Sequence, residues 1–303
     1  MKKLTVLLIL AAMVLCVSEG FAGTGKAGWW ILRRPQSTKP RTMTSLASIR
    51  GDLSGVFYNP SILATIQSKE VFFMSESGLA ADTFASVLYG HPLKEGSGLS
   101  GGIVYYDAGK TTLNYVENGV LQTANVTIQQ DILGIVSYGR TINQDMIAGA
   151  TLKFASSALA EYKTSSAFAL DIGAIYYYPK MEGLMLTAVA QNIGSSSAFL
   201  NQADELPMSV AIGASYGWQL GKNYLGAGID VPYILADSRV TPSIGLDYSL
   251  GKLSFNFGYN MGKDDSNIHL GANFMEEKYD VGIAVSPSSY LASAVRVSVG
   301  YRF

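Results

Sequence analysis

One short segment of the chain matches a pattern that serine hydrolases use for nucleophilic catalysis. Residues 213–217 read Gly-Ala-Ser-Tyr-Gly, the arrangement in which the central serine attacks a carbonyl carbon. That chemistry requires a sharp turn from a strand to a helix, which lifts the serine out of the sheet. Here the segment lies inside 207–218, whose alternating polar and apolar residues predict a continuous strand. We therefore attribute the match to chance and predict that the protein is not an enzyme.

The chain has two histidines, and neither belongs to a pattern typical of catalysis or metal binding. His91 precedes a proline in a predicted turn, and His269 lies on the polar face of a predicted strand, where Asp247 or Asn273 could accompany it. Two histidines distant in sequence are not a ligand cluster, and no phosphate-binding loop or haem motif is present. We predict no catalytic residue, no metal and no cofactor.

A further group of polar residues shares a position rather than a motif. Each lies on the Gly/Ser/Asn face of an alternating segment, which would face the interior of a barrel. Mixed charges in such a lumen either neutralise one another with the help of water or bind a segment placed inside it, and both interpretations stay open. The predicted lumen-facing group comprises Lys153, Asp171, Asp230, Asp247, His269 and Arg296.

Composition indicates what kind of scaffold must position these residues. The 303-residue chain is 48% hydrophobic but only 15% charged, and it contains 32 Gly and 18 Tyr. Soluble domains carry about 25% charged residues, so part of this surface is predicted to face something other than water. The net charge of −1 excludes a nucleic-acid partner, which requires an excess of Lys and Arg.

The N-terminus has the parts of a secretory signal. Lys2 and Lys3 precede an apolar run that ends near Val17, and small residues precede a cleavage site after Ala22. Cleavage before Cys16, as in a lipoprotein, is the alternative. Residues 1–22 are predicted as the signal peptide, and their removal takes the only cysteine with it.

Strict alternation continues through residues 69–303. The bulky residues share one face, which suits lipid, and Gly, Ala, Ser and Asn share the other, which suits a lumen. A β-sandwich would place bulky residues inside, so an all-β, transmembrane antiparallel barrel of about 14 strands is predicted, with a secreted soluble β-protein as an alternative. Tyr and Trp near strand ends, such as Tyr176, Trp218 and Tyr301, would form an interfacial girdle. The predicted strands are 69–76, 82–90, 98–107, 131–141, 145–157, 165–178, 183–192, 207–218, 223–231, 240–250, 252–261, 267–275, 278–286 and 292–303.

Residues 23–68 precede the first strand and carry six basic residues against one acidic residue, Asp52. A basic segment that leads into an acidic barrel is predicted to fold into the lumen as an N-terminal hatch, although a flexible tail is the alternative. Asn59 and Pro60 would form a turn of this hatch. Asp171 or Asp230 could hold it closed by pairing with its arginines. The candidate hatch arginines are Arg33, Arg34, Arg41 and Arg50.

Three passages carry a resemblance to a known group of proteins. Residues 51–64, GDLSGVFYNPSILA, resemble a hatch segment that ends in an Asn-Pro turn, although Ser61 and Ile62 replace Ala-Gly. Residues 190–194, AQNIG, followed by Leu206-Pro207, are similar to a second passage of the same group of proteins. The chain ends in Phe303, the usual signal for the barrel-assembly machinery. The sequence thus resembles the FadL-like outer-membrane superfamily, particularly its PorV/PorQ-type branch.

The resemblance implies location and architecture more firmly than cargo. It implies a fourteen-stranded barrel with a hatch in the outer membrane of a diderm bacterium, in contact with outer-membrane lipid and built by the barrel-assembly machinery. FadL-type members pass hydrophobic or amphipathic small molecules, whereas PorV-type members handle secreted proteins in type IX secretion. The first function is predicted here, and the second is the alternative, with 108–130 and 193–206 as docking loops.

Overall fold

The computed structural model describes residues 28–34, 36–38, 52–77, 82–160, 163–199, 201, 203–261, 267–289 and 292–303. The predicted signal peptide and two of the candidate hatch arginines, Arg41 and Arg50, lie outside these residues. Among the residues that are described, no helix has the length and apolar character needed to cross a membrane.

Fourteen antiparallel strands form a closed barrel, which confirms the predicted fold class. Each strand pairs with its neighbours along the chain, and β1 pairs with β17 to complete the ring. The strands are β1 (Glu70–Ser77), β2 (Thr83–Leu93), β3 (Ser97–Asp107), β4 (Lys110–Glu117), β5 (Val120–Thr127), β6 (Gln129–Asn143), β7 (Met146–Leu159), β8 (Lys163–Tyr177), β9 (Leu184–Ser196), β10 (Ser209–Leu220), β11 (Asn223–Ile234), β12 (Arg239–Val240), β13 (Ser243–Leu250), β14 (Leu253–Asn260), β15 (Ile268–Met275), β16 (Tyr279–Ser286) and β17 (Ala294–Arg302). All except β4, β5 and β12 belong to the ring.

The two ends of the barrel differ in the length of their connections. Tight turns join β6 to β7, β10 to β11, and β13 to β14 at one end, which we call the short-turn end. The opposite, long-loop end carries the connections 197–208 and 235–242. It also carries the hairpin β4–β5, which was predicted only as a loop within 108–130. This hairpin turns at Asn118 and Gly119, both with positive φ, as a two-residue hairpin turn requires.

The outer surface is apolar, as the alternation predicts. On β14, Phe255 is half exposed while its neighbour Asn256 is buried, and Val297 and Ser298 repeat this arrangement on β17. Aromatic side chains gather at the short-turn end, where the rings of Tyr216 and Trp218 are 4.6 Å apart. Other pairs at that end are Tyr176–Tyr178, Tyr279–Tyr301 and Tyr301–Phe303. This is the arrangement of an interfacial aromatic girdle.

The lumen differs from the expected uniformly polar interior, because one side of it is apolar. Large side chains such as Phe72, Met74, Phe84 and Leu133 point inward from β1, β2 and β6 and are almost fully buried. They pack against the N-terminal segment in one continuous hydrophobic cluster. The opposite side of the lumen, from β10 to β17, keeps the predicted polar lining of Ser and Asn. The polar prediction was therefore wrong for the sector that the N-terminal segment covers.

The N-terminal segment fills this apolar side, and we call its described residues 28–34, 36–38 and 52–66 the plug. Three short 3-10 helices shape it: Trp30–Leu32, Leu53–Phe57 and Pro60–Thr65. Ile31, Leu53 and Ile62 are fully buried. Such burial requires a partner surface, and the apolar wall of β1–β3 and β6–β8 supplies it.

Candidate functional site

The last turn of the plug rests on a surface of glycines at the short-turn half of the barrel. A Cβ atom on Gly149 would lie 2.6 Å from the carbonyl oxygen of Pro60, and one on Gly98 would lie 2.3 Å from that of Leu63. Both distances are shorter than Cβ contacts allow, and the atoms met are backbone atoms. Only glycine permits this approach, so the wall is shaped for the plug. Gly90, Gly139 and Gly173 extend the same surface.

Asn59 and Pro60 form the turn that lies on this surface. The Asn59 Oδ1 atom accepts hydrogen bonds from the Ser61 backbone N–H at 3.1 Å and from the Ser61 hydroxyl at 2.6 Å. Its Nδ2 atom donates to the Ala174 carbonyl oxygen at 3.4 Å. Asn59 therefore caps the helix Pro60–Thr65 and also binds the barrel wall. The Ser61 hydroxyl supplies part of this cap.

Strand β9 contacts the plug through a β-bulge. The β8–β9 register shifts between Leu170 and Ile172, so that two residues, Gln191 and Asn192, face Asp171 alone. The Gln191 Nε2 atom lies 3.3 Å from the carbonyl oxygens of both Phe57 and Tyr58 and donates to them. Two of the three passages that carry the resemblance, 51–64 and 190–194, therefore meet in space at this bulge.

A buried ion pair supports the bulge. Asn192 adopts φ 58°, a conformation that asparagine tolerates better than most residues. Its backbone N–H donates to Asp171 at 2.8 Å, and Lys153 pairs with the same carboxylate at 2.6 Å. The Asn192 side chain accepts from Lys153 at 2.9 Å and donates to the Pro207 carbonyl oxygen at 3.1 Å. Asp171 and Lys153 thus act within the barrel, and Asp171 is not paired with a plug arginine in this arrangement.

A second charged cluster holds the plug near the long-loop end. Arg34 of the plug donates from Nε to Glu76 on β1 at 2.8 Å and pairs with Asp82 at 2.8 Å. Arg296 on β17 binds the other oxygen of Glu76. The Arg34 guanidinium also lies 4.8 Å from the centre of the Phe84 ring, within range of a cation–π contact. Glu76 therefore joins the plug to the seam between β1 and β17.

His269 extends this cluster to the next part of the plug. Its Nε2 atom lies 2.7 Å from the Thr38 carbonyl oxygen, which can only accept, so Nε2 carries the proton. Its Nδ1 atom then accepts from Arg296 Nη1 at 3.3 Å. The Thr38 hydroxyl bonds with Ser298 at 3.0 Å. The polar side of the lumen thus holds Thr38 of the plug through side chains of β15 and β17.

The remaining predicted residues lie as follows. Arg33 pairs with Asp237 in the connection 235–242. Asp230 is buried on β11, close to Gly213, and Asp247 is half buried on β13. The Phe303 backbone N–H donates to the Lys69 carbonyl oxygen at 3.0 Å, next to the β1–β17 seam.

The residues that the sequence offers as candidates for catalysis lie in regular strands. Residues 213–217 belong to β10, so Ser215 is buried in a strand and not raised on a turn. His91 was predicted in a turn but lies in β2, where its Nδ1 atom is 3.1 Å from the Tyr89 hydroxyl. Among the described residues, no group of three or more His, Cys, Asp or Glu side chains could hold a metal ion.

An open cavity of about 260 Å³ lies between the plug and the barrel at the long-loop end. The rings of Trp29 and Phe199 stack with their centroids 6.3 Å apart, and both line the cavity. The Gly28 backbone N–H donates to the Glu205 carbonyl oxygen at 3.1 Å, which fixes the plug to the connection 197–208. This connection therefore forms one wall of the cavity, which the sequence did not reveal. The lining residues are Gly28, Trp29, Trp30, Gln129, Ser157, Leu159, Phe199 and Asp204.

Taken together, the ring of strands, its apolar exterior and its internal plug define a transmembrane β-barrel closed by its own N-terminal segment. The Ralstonia pickettii toluene transporter TbuX has this fold with a TM-score of 0.56 at 12% identity, covering 83% of this chain and 94% of that one. The Pseudomonas putida toluene transporter TodX gives 0.54 at 12% identity, covering 94% and 99%. No family model and no curated protein matches the sequence. The similarity between this chain and the two transporters is therefore a similarity of fold.

Proposed function

We propose that this protein is a FadL-like channel of the bacterial outer membrane that passes small hydrophobic or amphipathic molecules. The observation that carries the proposal is the aromatic cavity at the long-loop end, which lies directly above a plug packed on an apolar wall. A water-filled pore for polar solutes has a polar lumen, whereas the cavity and the wall of β1–β3 and β6–β8 offer aromatic and aliphatic surface here. The fold shared with two toluene transporters supports the same class of cargo.

The side of entry follows from the loops. Outer-membrane barrels place their tight turns in the periplasm and their longer loops outside the cell. The cavity formed by Trp29, Trp30 and Phe199 then faces the exterior, and the helix Pro60–Thr65 closes the periplasmic half. A cargo molecule would first bind among the aromatic rings and then travel along the plug.

Passage requires the plug to move, and the strength of its contacts bears on where it would be released. The hydrogen bonds from Gln191 to the Phe57 and Tyr58 carbonyl oxygens are long, at 3.3 Å each. By contrast, Arg34 is held by two carboxylates and an aromatic ring. Arg34 therefore fixes the plug near the long-loop end, and the Gln191 contact is the weaker of these two polar contacts.

Uptake measurements test this function. Cells that express the protein in place of a hydrocarbon channel should take up radiolabelled toluene faster than cells with the empty vector. Phe199→Ala should lower the initial rate because it removes one wall of the cavity. Trp218→Ala, on β10 away from the cavity, is the matched control and should leave uptake unchanged. Equal uptake with and without folded protein in the outer membrane would refute the proposal.

The alternative, a component of protein secretion, gains no support from the comparisons. Of its two predicted docking loops, 193–206 packs against the plug, and 108–130 contains the exposed hairpin β4–β5. Purification from native membranes in mild detergent separates the two functions. A stoichiometric lipid or other small hydrophobic molecule supports the channel, whereas secreted proteins that share a C-terminal domain, without bound lipid, support the alternative.

A further inference from the structure

The outer face of the barrel carries a histidine at the short-turn end. His91 lies on the same face of β2 as Val87 and Tyr89, which are 47% and 42% exposed, whereas Leu88 on the other face is fully buried. The His91 Nδ1 atom is 3.1 Å from the Tyr89 hydroxyl. When this hydroxyl donates to Nδ1, the Nε2 atom carries the proton. Among the residues that the structure describes, Nε2 has no partner, so the outer face offers a hydrogen-bond donor here.

Lys69 places a positive charge beside this donor. The antiparallel register pairs Glu70 with Gly90, so that Lys69 lies opposite His91, on the outer face by alternation. The Phe303 backbone N–H donates to the Lys69 carbonyl oxygen at 3.0 Å, which holds Lys69 in the ladder. Lys69 is exposed, and its ammonium group pairs with no carboxylate in the described part of the chain.

Apolar side chains follow this pair along the two strands. Val71 lies opposite Tyr89, and Phe73 lies opposite Val87, all on the outer face. Tyr301 of the aromatic girdle is the neighbour of Val71 on the other side. Phe73 and Val87 are 44% and 47% exposed. The outer face of β1 and β2 is therefore basic at the level of the girdle and apolar towards the middle of the membrane.

A phospholipid presents the same order of chemical groups. Its phosphate lies at the membrane interface, where girdle residues also lie, and its acyl chains fill the hydrocarbon core. Phosphate oxygens accept charge-assisted hydrogen bonds from an ammonium group, and these are stronger than neutral ones. By contrast, the charge of Lys252 at the same end is already compensated by Glu276. The charge of Lys69 is thus available to the membrane.

We propose that the outer face of β1 and β2 binds one phospholipid through its phosphate at the short-turn end. Lys69 pairs with the phosphate, the His91 Nε2–H donates to one of its oxygen atoms, and the acyl chains lie along Phe73 and Val87. Because tight turns of such barrels face the periplasm, the lipid belongs to the periplasmic leaflet. The site lies outside the lumen and goes beyond the proposed channel function, so it does not depend on the cargo.

Native mass spectrometry of the detergent-solubilised full-length protein tests the site with two lipids that have the same acyl chains. Phosphatidylglycerol carries the phosphate, and diacylglycerol lacks it. Lys69→Gln and His91→Gln should each weaken binding of the first phosphatidylglycerol molecule roughly three- to tenfold, the value of one hydrogen bond, and leave diacylglycerol binding unchanged. Lys222→Gln removes an exposed lysine from the tight turn between β10 and β11. It is the matched control and should change neither.

Phe73→Ala tests the placement of the acyl chains and should weaken the binding of both lipids by a similar factor. Migration of each variant in gels with and without heating shows that the barrel is folded. If Lys69→Gln and His91→Gln bind phosphatidylglycerol as tightly as the original protein, or if Lys222→Gln weakens it equally, the site is wrong. Displacement of the lipid by an equal concentration of inorganic phosphate would also overturn it. Toluene uptake by the original protein decides the channel function separately, because the lipid lies outside the lumen.

Discussion

The Asp171 carboxylate accepts the backbone N–H of Asn192 at 2.8 Å, across the point where the β8–β9 register shifts. This hydrogen bond satisfies a donor that the β-bulge would otherwise leave unpaired, and it keeps Asn192 in its left-handed conformation. The neighbouring Gln191 then points at the plug. A carboxylate in the barrel wall thus sets the direction of a side chain that binds the plug.

Removal of the cation beside this carboxylate should destabilise the barrel. Lys153→Met leaves Asp171 buried with its charge uncompensated, which costs about 3–5 kcal/mol. We expect the midpoint of urea unfolding to fall accordingly, as measured by the loss of heat-modifiable gel migration. The double variant with Asp171→Asn should recover much of the loss, because an amide still accepts the Asn192 N–H. Equal stability of Lys153→Met and the original protein would contradict the ion pair.

A methyl group on the glycine surface should displace the plug without unfolding the barrel. In Gly149→Ala the new Cβ would lie 2.5 Å from the Pro60 carbonyl carbon, so backbone must move. Overpacking of this kind costs about 1–3 kcal/mol, which raises the displaced population about 5- to 150-fold. Ion conductance in planar bilayers should increase by a comparable factor. Gly134→Ala, whose Cβ would meet its nearest atom at 3.9 Å, is the matched control.

Neutralising Glu76 should loosen the part of the plug near the long-loop end. Glu76→Gln removes the charge that Arg34 and Arg296 share, although Asp82 still holds Arg34. Because Ser37 is buried and follows Arg34 by three residues, a Ser37→Cys reporter should react with a maleimide about tenfold faster in the variant, which corresponds to about 1.4 kcal/mol.

Glu276→Gln provides the control for that experiment. Glu276 pairs with Lys252 on the surface, where both side chains are well exposed, and such pairs contribute little. Unchanged reactivity in both variants would show that Glu76 does not restrain the plug.

Deletion of the protruding hairpin separates the two proposed functions. Strands β4 and β5 form a separate two-stranded sheet, and the Ile128 N–H donates to the Gly109 carbonyl oxygen at its base. Replacement of the hairpin by a two-residue turn should therefore leave the barrel and toluene uptake unchanged. Loss of co-purifying secreted proteins on deletion would instead assign the hairpin to protein docking.

The strands could be predicted because each one obeys a local rule. Alternation on β14 and β17 places Phe255 and Val297 towards lipid without any knowledge of neighbouring strands. The apolar side of the lumen was missed, although Phe72 and Met74 lie on the face opposite Val71 and Phe73 in the first strand. A strand that is apolar on both faces is buried on both, which indicates something packed inside.

The partners of the plug could not be predicted in the same way. Arg33 and Arg34 were identified from charge alone, but Glu76 and Asp237 were not, because pairing across the lumen depends on register and on the path of the plug. The Asn118-Gly119 pair favours a two-residue hairpin turn, so the hairpin within the predicted loop could have been predicted from the sequence. The cavity residues Trp29 and Phe199 are far apart in sequence, so only the folded chain brings them together.

The path of the plug also constrains the order in which the molecule can be built. Gly28 lies at the long-loop end and Lys69 at the short-turn end, so the intervening chain spans the height of the ring. Such a chain is either threaded through a finished ring or enclosed while the ring forms. The seam is the β1–β17 pair, and β17 follows the other ring strands in the chain. A ring that closes around a plug already in place needs no threading. We therefore expect the plug to be positioned before β17 pairs with β1.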